Sequence, residues 1–158
     1  MTHYQLIVYN KDKETYYQLI VYRNEVYEID FHSPHNQVID FLDRVRTLLQ
    51  NDANFIFIKK RRIEKKNPKY TTESCMLELE YNDNDVINEI SSLSIKHYYQ
   101  TFFDDKCRGK EPWFVFIKEL QKKQVYIKIK IREREDGDRV VCISFHFVEH
   151  EVYKLPYA

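Results

Sequence analysis

The sequence predicts an α+β domain in which an antiparallel sheet carries helices on one face. Two periodicities and one spacing carry that prediction. From Val125 to Arg132, apolar residues alternate with polar ones at the strand period, Val125, Ile127, Ile129 and Ile131 against Tyr126, Lys128, Lys130 and Arg132. From Val38 to Leu49, apolar residues recur at the helical period, at Val38, Phe41, Leu42, Val45, Leu48 and Leu49. The connections between the strand-like segments at the end of the chain are short, as antiparallel neighbours require.

The bulk numbers agree. A chain of 158 residues is about one domain long and can bury a core without staples. With 13 Tyr and 10 Phe but only 2 Gly, it favours strands and helices over glycine-rich phosphate loops. Its formal net charge is +0, so no global field draws the whole molecule to nucleic acid or to a membrane. The 3 cysteines, Cys75, Cys107 and Cys142, are odd in number and far apart, which argues against a disulfide framework and a zinc site and for reduced thiols. The first residues lack the basic start, apolar centre and small-residue end of a signal peptide. No apolar run approaches the roughly 18 residues of a membrane span. The expected location is the cytoplasm, with no membrane partner and no cofactor.

The chain opens on a repeat. YQLIVY stands at Tyr4–Tyr9 and again at Tyr17–Tyr22, and VYEIDF follows at Val26–Phe31. Polar turns split these segments, so they read as an N-terminal β-meander over residues 1–32. The duplicated hexapeptide reads either as an extension of the main sheet or as an interaction edge for a partner or a second copy, which would make a homodimer. HSPHNQVIDFLDRVRTLLQ then reads as an amphipathic helix, with Ser33 as N-cap and Pro34 at the first helical position.

Phe55–Ile58 form a short strand. Behind it the chain turns basic, with Lys59, Lys60, Arg61, Arg62, Lys65, Lys66 and Lys69 opposed only by Glu64. Such a run is an electrostatic footprint for phosphate, and it is more often simply a solvated loop. TTESCMLELEYNDNDVINEISSL reads as two short helices, the first started by Thr71 or Thr72 and the second by Asp83 or Asn84. Their carboxylates Glu73, Glu78, Glu80, Asp83, Asp85 and Glu89 balance the basic run. Three strands close the chain, in PWFVFIKEL, QVYIKIKIRERE and DRVVCISFHFVEHEV, and the tail YKLPYA is expected over an edge.

The hairpin register follows from burial. Val141, Ile143, Phe145 and Phe147 are the apolar set of the last strand, so odd positions must oppose odd positions. A two-residue Asp136-Gly137 turn would pair odd with even. A three-residue loop, Glu135-Asp136-Gly137, sets Gly137 where positive φ is wanted. It pairs Ile131 with Val141, Ile129 with Ile143 and Ile127 with Phe145. On the polar face it pairs Lys130 with Cys142, Lys128 with Ser144 and Tyr126 with His146. A four-residue loop keeps the faces but pairs Lys128 with His146.

A face of tyrosine, histidine and lysines without a carboxylate-rich centre suits phosphodiester chemistry without a metal. It is equally an ordinary exposed sheet face. RNA cleavage by its own 2′-hydroxyl needs a base, an acid and a cation for the phosphorane, and an imidazole titrating near 6.5 can serve as base or acid. The histidine pairs His146/His150 and His32/His35 do not make a convincing metal site. Four strand positions span roughly 13 Å, too far for one ion, and the second pair straddles a proline.

The series WFVFIKE, QVYIKIKI and VVCISFH, preceded by LSIKHYYQ taken as helical, resembles the motility quorum-sensing regulator (MqsR) toxins, within the RelE-like group of small ribonucleases. The resemblance runs in order of elements from about Gln37 to Val152 and is specific from about Ile87 to Phe147. It implies an MqsR/RelE-like fold over residues 33–158 and a metal-independent mRNA endonuclease silenced by a cognate antitoxin. The family's catalytic tyrosine sits in a VY-x-K strand, which Tyr126 matches. The lysine that follows Ser-Phe in the family is His146 here. The family's upstream lysine and glutamine fall near Gln100 and Phe114, and Lys110, Lys118 and Lys128 could supply the missing charge. On this reading Tyr126 and His146 manage protons and Lys128 and Lys118 hold the phosphate. Lys59, Lys60, Arg61, Arg62, Lys110 and Lys130 bind the RNA. The alternative is a non-catalytic RNA-binding or protein-interaction module on the same fold.

Overall fold

The computed structural model describes the backbone of residues 4–10, 15–22, 25–60, 67–102 and 111–158, and side chains from residue 32 onward within those ranges except at 102. The strands are β1 (Tyr4–Asn10), β2 (Thr15–Tyr22), β3 (Glu25–His32), β4 (Phe55–Phe57), β5 (Tyr98–Phe102), β6 (Trp113–Leu120), β7 (Lys123–Arg132) and β8 (Arg139–Phe147). The helices are α1 (His35–Leu48), α2 (Thr72–Leu79) and α3 (Asp83–Ser91). Among the described residues, the strands form one sheet in the order β1-β2-β3-β5-β6-β7-β8-β4. The expected α+β class therefore holds, with one amendment. β4 lies parallel to β8, Phe55 opposite Val140 and Phe57 opposite Cys142, so the sheet is mixed rather than wholly antiparallel. A run of three apolar residues gives no sign of its direction, which the passage of the chain through α1 decides.

The core lies between the helices and one face of the sheet. Val38, Phe41, Leu42 and Val45 of α1 are buried there, and the Phe41 ring stacks on Phe114 with centroids 3.9 Å apart. The short helices start where local hydrogen bonding allows. Thr71 caps α2 by accepting from the Ser74 amide, and Asn82 and Asp85 form a reciprocal capping box at α3.

The start of α1 differs from expectation. Ser33 does not cap the helix; Pro34 occupies that position without a side-chain cap. Ser33 is buried instead. Its amide donates to the Tyr98 hydroxyl at 2.8 Å, its own hydroxyl lies 2.9 Å from that of Thr101, and the Tyr98 and Thr101 hydroxyls are 2.6 Å apart. The tail joins this network. The Tyr157 hydroxyl donates to the Ser33 carbonyl at 2.7 Å, its ring stacks on Tyr98, and Gln124 brackets Val152 through both its amide atoms at 2.7 Å. The tail thus docks near β5 and the start of α1 rather than along a lateral edge.

LSIKHYYQ also departs from its helical reading. Only Ile95–His97 makes one 3-10 turn, and Tyr98 then begins β5, which pairs with β6. Full burial of the Tyr98 ring outweighs a weak local helix preference.

The β7–β8 hairpin keeps the expected register at its open end and loses it near the turn. Val125 opposes Phe147, Tyr126 opposes His146, Ile127 opposes Phe145 and Lys128 opposes Ser144. Beyond Lys128 the register shifts by one, leaving Ile143 as the extra residue of a β-bulge. Ile129 then meets Cys142, Lys130 meets Val141 and Ile131 meets Val140, in place of the three pairs predicted there. Cys142 turns into the core and Val141 turns to the polar face. The turn is longer than three residues, since β7 ends at Arg132 and β8 begins at Arg139. Gly137 does take a positive φ, 121°, and its amide bonds the Arg134 carbonyl. Arg44 of α1 holds this loop through Glu133 and Asp138, each at 3.2 Å.

Removing the Tyr98 hydroxyl strands a buried amide. Tyr98→Phe should lower stability by about 1–3 kcal/mol, read as a shift in the urea midpoint. An unchanged midpoint would show that this network contributes nothing.

Candidate functional site

The polar face of the sheet is assembled by register. Gln100, Val115, Lys128 and Ser144 form one row across β5, β6, β7 and β8, and Ile117, Tyr126 and His146 form the next. Nearer the turn Lys130 opposes Val141, and the Trp113 ring lies against Lys130. Alternation in β7 puts Tyr126, Lys128 and Lys130 on this face because Val125, Ile127 and Ile129 are fully buried on the other.

Tyr126 and His146 meet as rings stacked 5.2 Å apart with planes 13° from parallel. His146 Nδ1 lies 2.9 Å from the Phe147 carbonyl oxygen. A carbonyl only accepts, so Nδ1 carries a proton and the lone pair of the neutral ring belongs to Nε2. Nε2 is buried in this conformation.

Trp113 organises the lysines. The Lys130 ammonium lies 4.5 Å and the Lys128 ammonium 5.4 Å from its ring, cation–π distances that hold two like charges side by side. Sequence reasoning passed over Trp113. In WFVFIKE both faces are apolar, so alternation does not reveal which residues underlie the lysines. Trp113 lies against both lysines, Val115 opposes Lys128 and Ile117 opposes Tyr126, and all three are buried.

The structure gathers Tyr126, His146, Lys128 and Lys130 on one face, and it does not bring Lys118 to them. Lys118 shares the parity of Phe114 and Phe116, which places it on the helix side. There its ammonium contacts Glu89 at 2.7 Å and donates to Ser92 Oγ at 2.6 Å, while the Tyr81 hydroxyl donates to Glu89 at 2.9 Å. Burial and that bond push the Tyr81 phenol up to about 12. Phe114 likewise faces the core, whereas Gln100 stands on the polar face, half-buried.

The basic stretch after β4 is partly matched by the acidic helices. Lys59 pairs with Asp83 at 2.6 Å and Lys60 with Glu73 at 3.5 Å. Arg61, Arg62, Lys65, Lys66, Cys107 and Lys110 lie outside the described residues. Burial pushes the Cys75 and Cys142 thiols up to about 12, so both stay protonated and unreactive. Among the described residues, no group of three or more His, Cys, Asp or Glu side chains gathers as metal ligands would, and no helix is long and apolar enough to cross a membrane.

The profile of the family described as "Motility quorum-sensing regulator, toxin of MqsA" matches residues 42–147, from within α1 to the end of β8. The chain belongs to this toxin family. The match takes in α2, α3 and every strand from β4 to β8, and so the whole Tyr126–His146 face; β1–β3 precede it. A search of curated proteins found no match to the chain.

Two predictions concern the helix side. Lys118→Met should lower stability by about 1–2 kcal/mol through loss of the Glu89 and Ser92 contacts, yet leave any RNA cleavage per folded molecule within about threefold of wild type. A large loss of cleavage with intact folding would restore Lys118 to the site. His97 accepts the Ser94 amide on Nδ1 at 3.0 Å, and burial, with Lys118 nearby, lowers its pKa although Glu89 opposes the shift. The unfolded chain therefore binds this proton more readily. Stability should be complete above the unfolded value of about 6.5 and fall as pH drops below it towards the lowered folded value. Urea titrations across that range should show the slope in wild type and its loss in His97→Asn, whose carbonyl can accept the same bond.

Proposed function

We propose that this toxin is a metal-independent endoribonuclease acting on mRNA through the Tyr126–His146 face. The supporting observation is the stacked Tyr126–His146 pair with its defined tautomer, in two cross-strand rows that also hold Lys128 and whose described side chains include no carboxylate, with Lys130 beside them. His146 Nε2 takes the proton of the 2′-hydroxyl. The 2′-oxygen then bonds to phosphorus, the bond from phosphorus to the 5′-oxygen breaks, and the Tyr126 hydroxyl supplies the leaving oxygen's proton. Lys128 and Lys130, spaced by Trp113, stabilise the phosphorane charge. The products are a 2′,3′-cyclic phosphate and a 5′-hydroxyl, so the reaction selects RNA over DNA. Lys59 and Lys60 track the RNA backbone, exchanging exposed ion pairs worth at most about 1 kcal/mol for phosphate contacts.

Within this reading, residues 33–158 form the ribonuclease domain and residues 1–32 a meander extension. The toxin works in the cytoplasm and a cognate antitoxin neutralises it, as the family description's pairing of toxin and MqsA suggests. A second reading has its own support. Burial of His146 Nε2 and the ion pairs at Lys59 and Lys60 suit a binding module that kept the fold without the chemistry.

The two readings separate on purified protein with a structured-loop RNA and EDTA. Wild type should cleave the RNA and leave the same substrate with a 2′-deoxy residue at the cut site intact. His146→Ala and Tyr126→Phe should each lose about a hundredfold or more. Absence of cleavage by wild type would leave the binding module.

A further inference from the structure

The hexapeptide YQLIVY appears in both β1 and β2, and the fold shows how it meets itself. β1 and β2 are antiparallel, with Tyr4 opposite Val21, Gln5 opposite Ile20, Leu6 opposite Leu19, Ile7 opposite Gln18 and Val8 opposite Tyr17. Numbered within the hexapeptide, first meets fifth, second meets fourth and third meets third. The pairing is thus symmetric about the Leu6–Leu19 pair. Inside one chain, the motif is its own antiparallel complement.

β1 is also the outermost strand of the sheet among the described residues. Its seven residues, YQLIVYN, include no charge, proline or glycine. Edge strands are ordinarily kept from pairing by charge, proline or shortness. The opposite edge follows that rule by shortness, since β4 has three residues. β1 lacks these protections.

We infer that β1 is a homodimerisation strand, pairing antiparallel with β1 of a second copy about a two-fold axis through Leu6. The second copy presents the same hexapeptide that β2 already matches in the same centred register. Such a contact is isologous and closes at two chains, because each β1 has one outer edge and β4 does not complement it. The polar face with Tyr126 and His146 lies five and six strands away in β7 and β8, so the dimer contact does not touch it.

Two-fold pairing puts residue 6 of one chain opposite residue 6 of the other, at about 4.5–5.5 Å between β-carbons. Sedimentation velocity of the full chain from micromolar to millimolar concentration should show a monomer–dimer equilibrium. Leu6→Lys or Leu6→Glu alone should shift the midpoint at least tenfold towards monomer by opposing like charges, and an equimolar mixture of the two should recover the dimer. Leu19→Lys, in the inner strand β2, should stay dimeric. Leu6→Cys should give an oxidised dimer linked through residue 6, an outcome independent of the charge variants' folding. A wild-type monomer throughout, or charge variants as dimeric as wild type, would overturn the inference. So would a mixture that stays monomeric, or a Leu6→Cys variant that does not cross-link.

Discussion

The pairing of β7 with β8 is the constraint on which the rest of the structure depends. Val125, Ile127 and Phe145 are fully buried on the helix side, and a slip of one residue would exchange them for Tyr126, Lys128 and His146. Burying each large apolar side chain contributes about 1.5–3 kcal/mol, whereas an aromatic stack contributes about 0.5–1.5. Packing on the hidden face therefore decides the register, and the meeting of Tyr126 with His146 is its consequence. The polar face is held in place by residues that never touch it.

The same division sorts the charges. Lys118 and Lys128 have similar sequence surroundings, one on an aromatic strand and one on an aliphatic strand, yet they face opposite ways. Lys118 is drawn into a half-buried group with Glu89, Ser92 and Tyr81, where charge is matched and fixed. Lys128 shares the Trp113 ring with Lys130. That one ring fixes where the two ammonium groups sit on this face.

Much of this was legible in the sequence, wherever alternation was clean. β7 reads as a strand with one apolar side, and the parity of Phe145 and Phe147 fixed the open end of the hairpin, including the Tyr126–His146 and Lys128–Ser144 pairs. The bulge at Ile143 was not legible, because Val140, Val141, Cys142 and Ile143 are all apolar enough to lie on either face. WFVFIKE hid Trp113 for the same reason. Ser33 before Pro34 looks like a helix cap, but its partners Tyr98 and Thr101 lie 65 and 68 residues away, beyond the reach of local reasoning. The direction of β4 and the ion pairs of Lys59 and Lys60 also depend on tertiary docking alone.

On the function proposed here, the His146 imidazole exchanges a proton with RNA on this face. The measurement that meets it most directly is the pH dependence of single-turnover cleavage of a one-site RNA, for wild type beside His146→Ala. The wild-type profile should carry an ionisation that is absent from the variant's residual activity. Profiles of the same shape would contradict it and remove His146 from the chemistry.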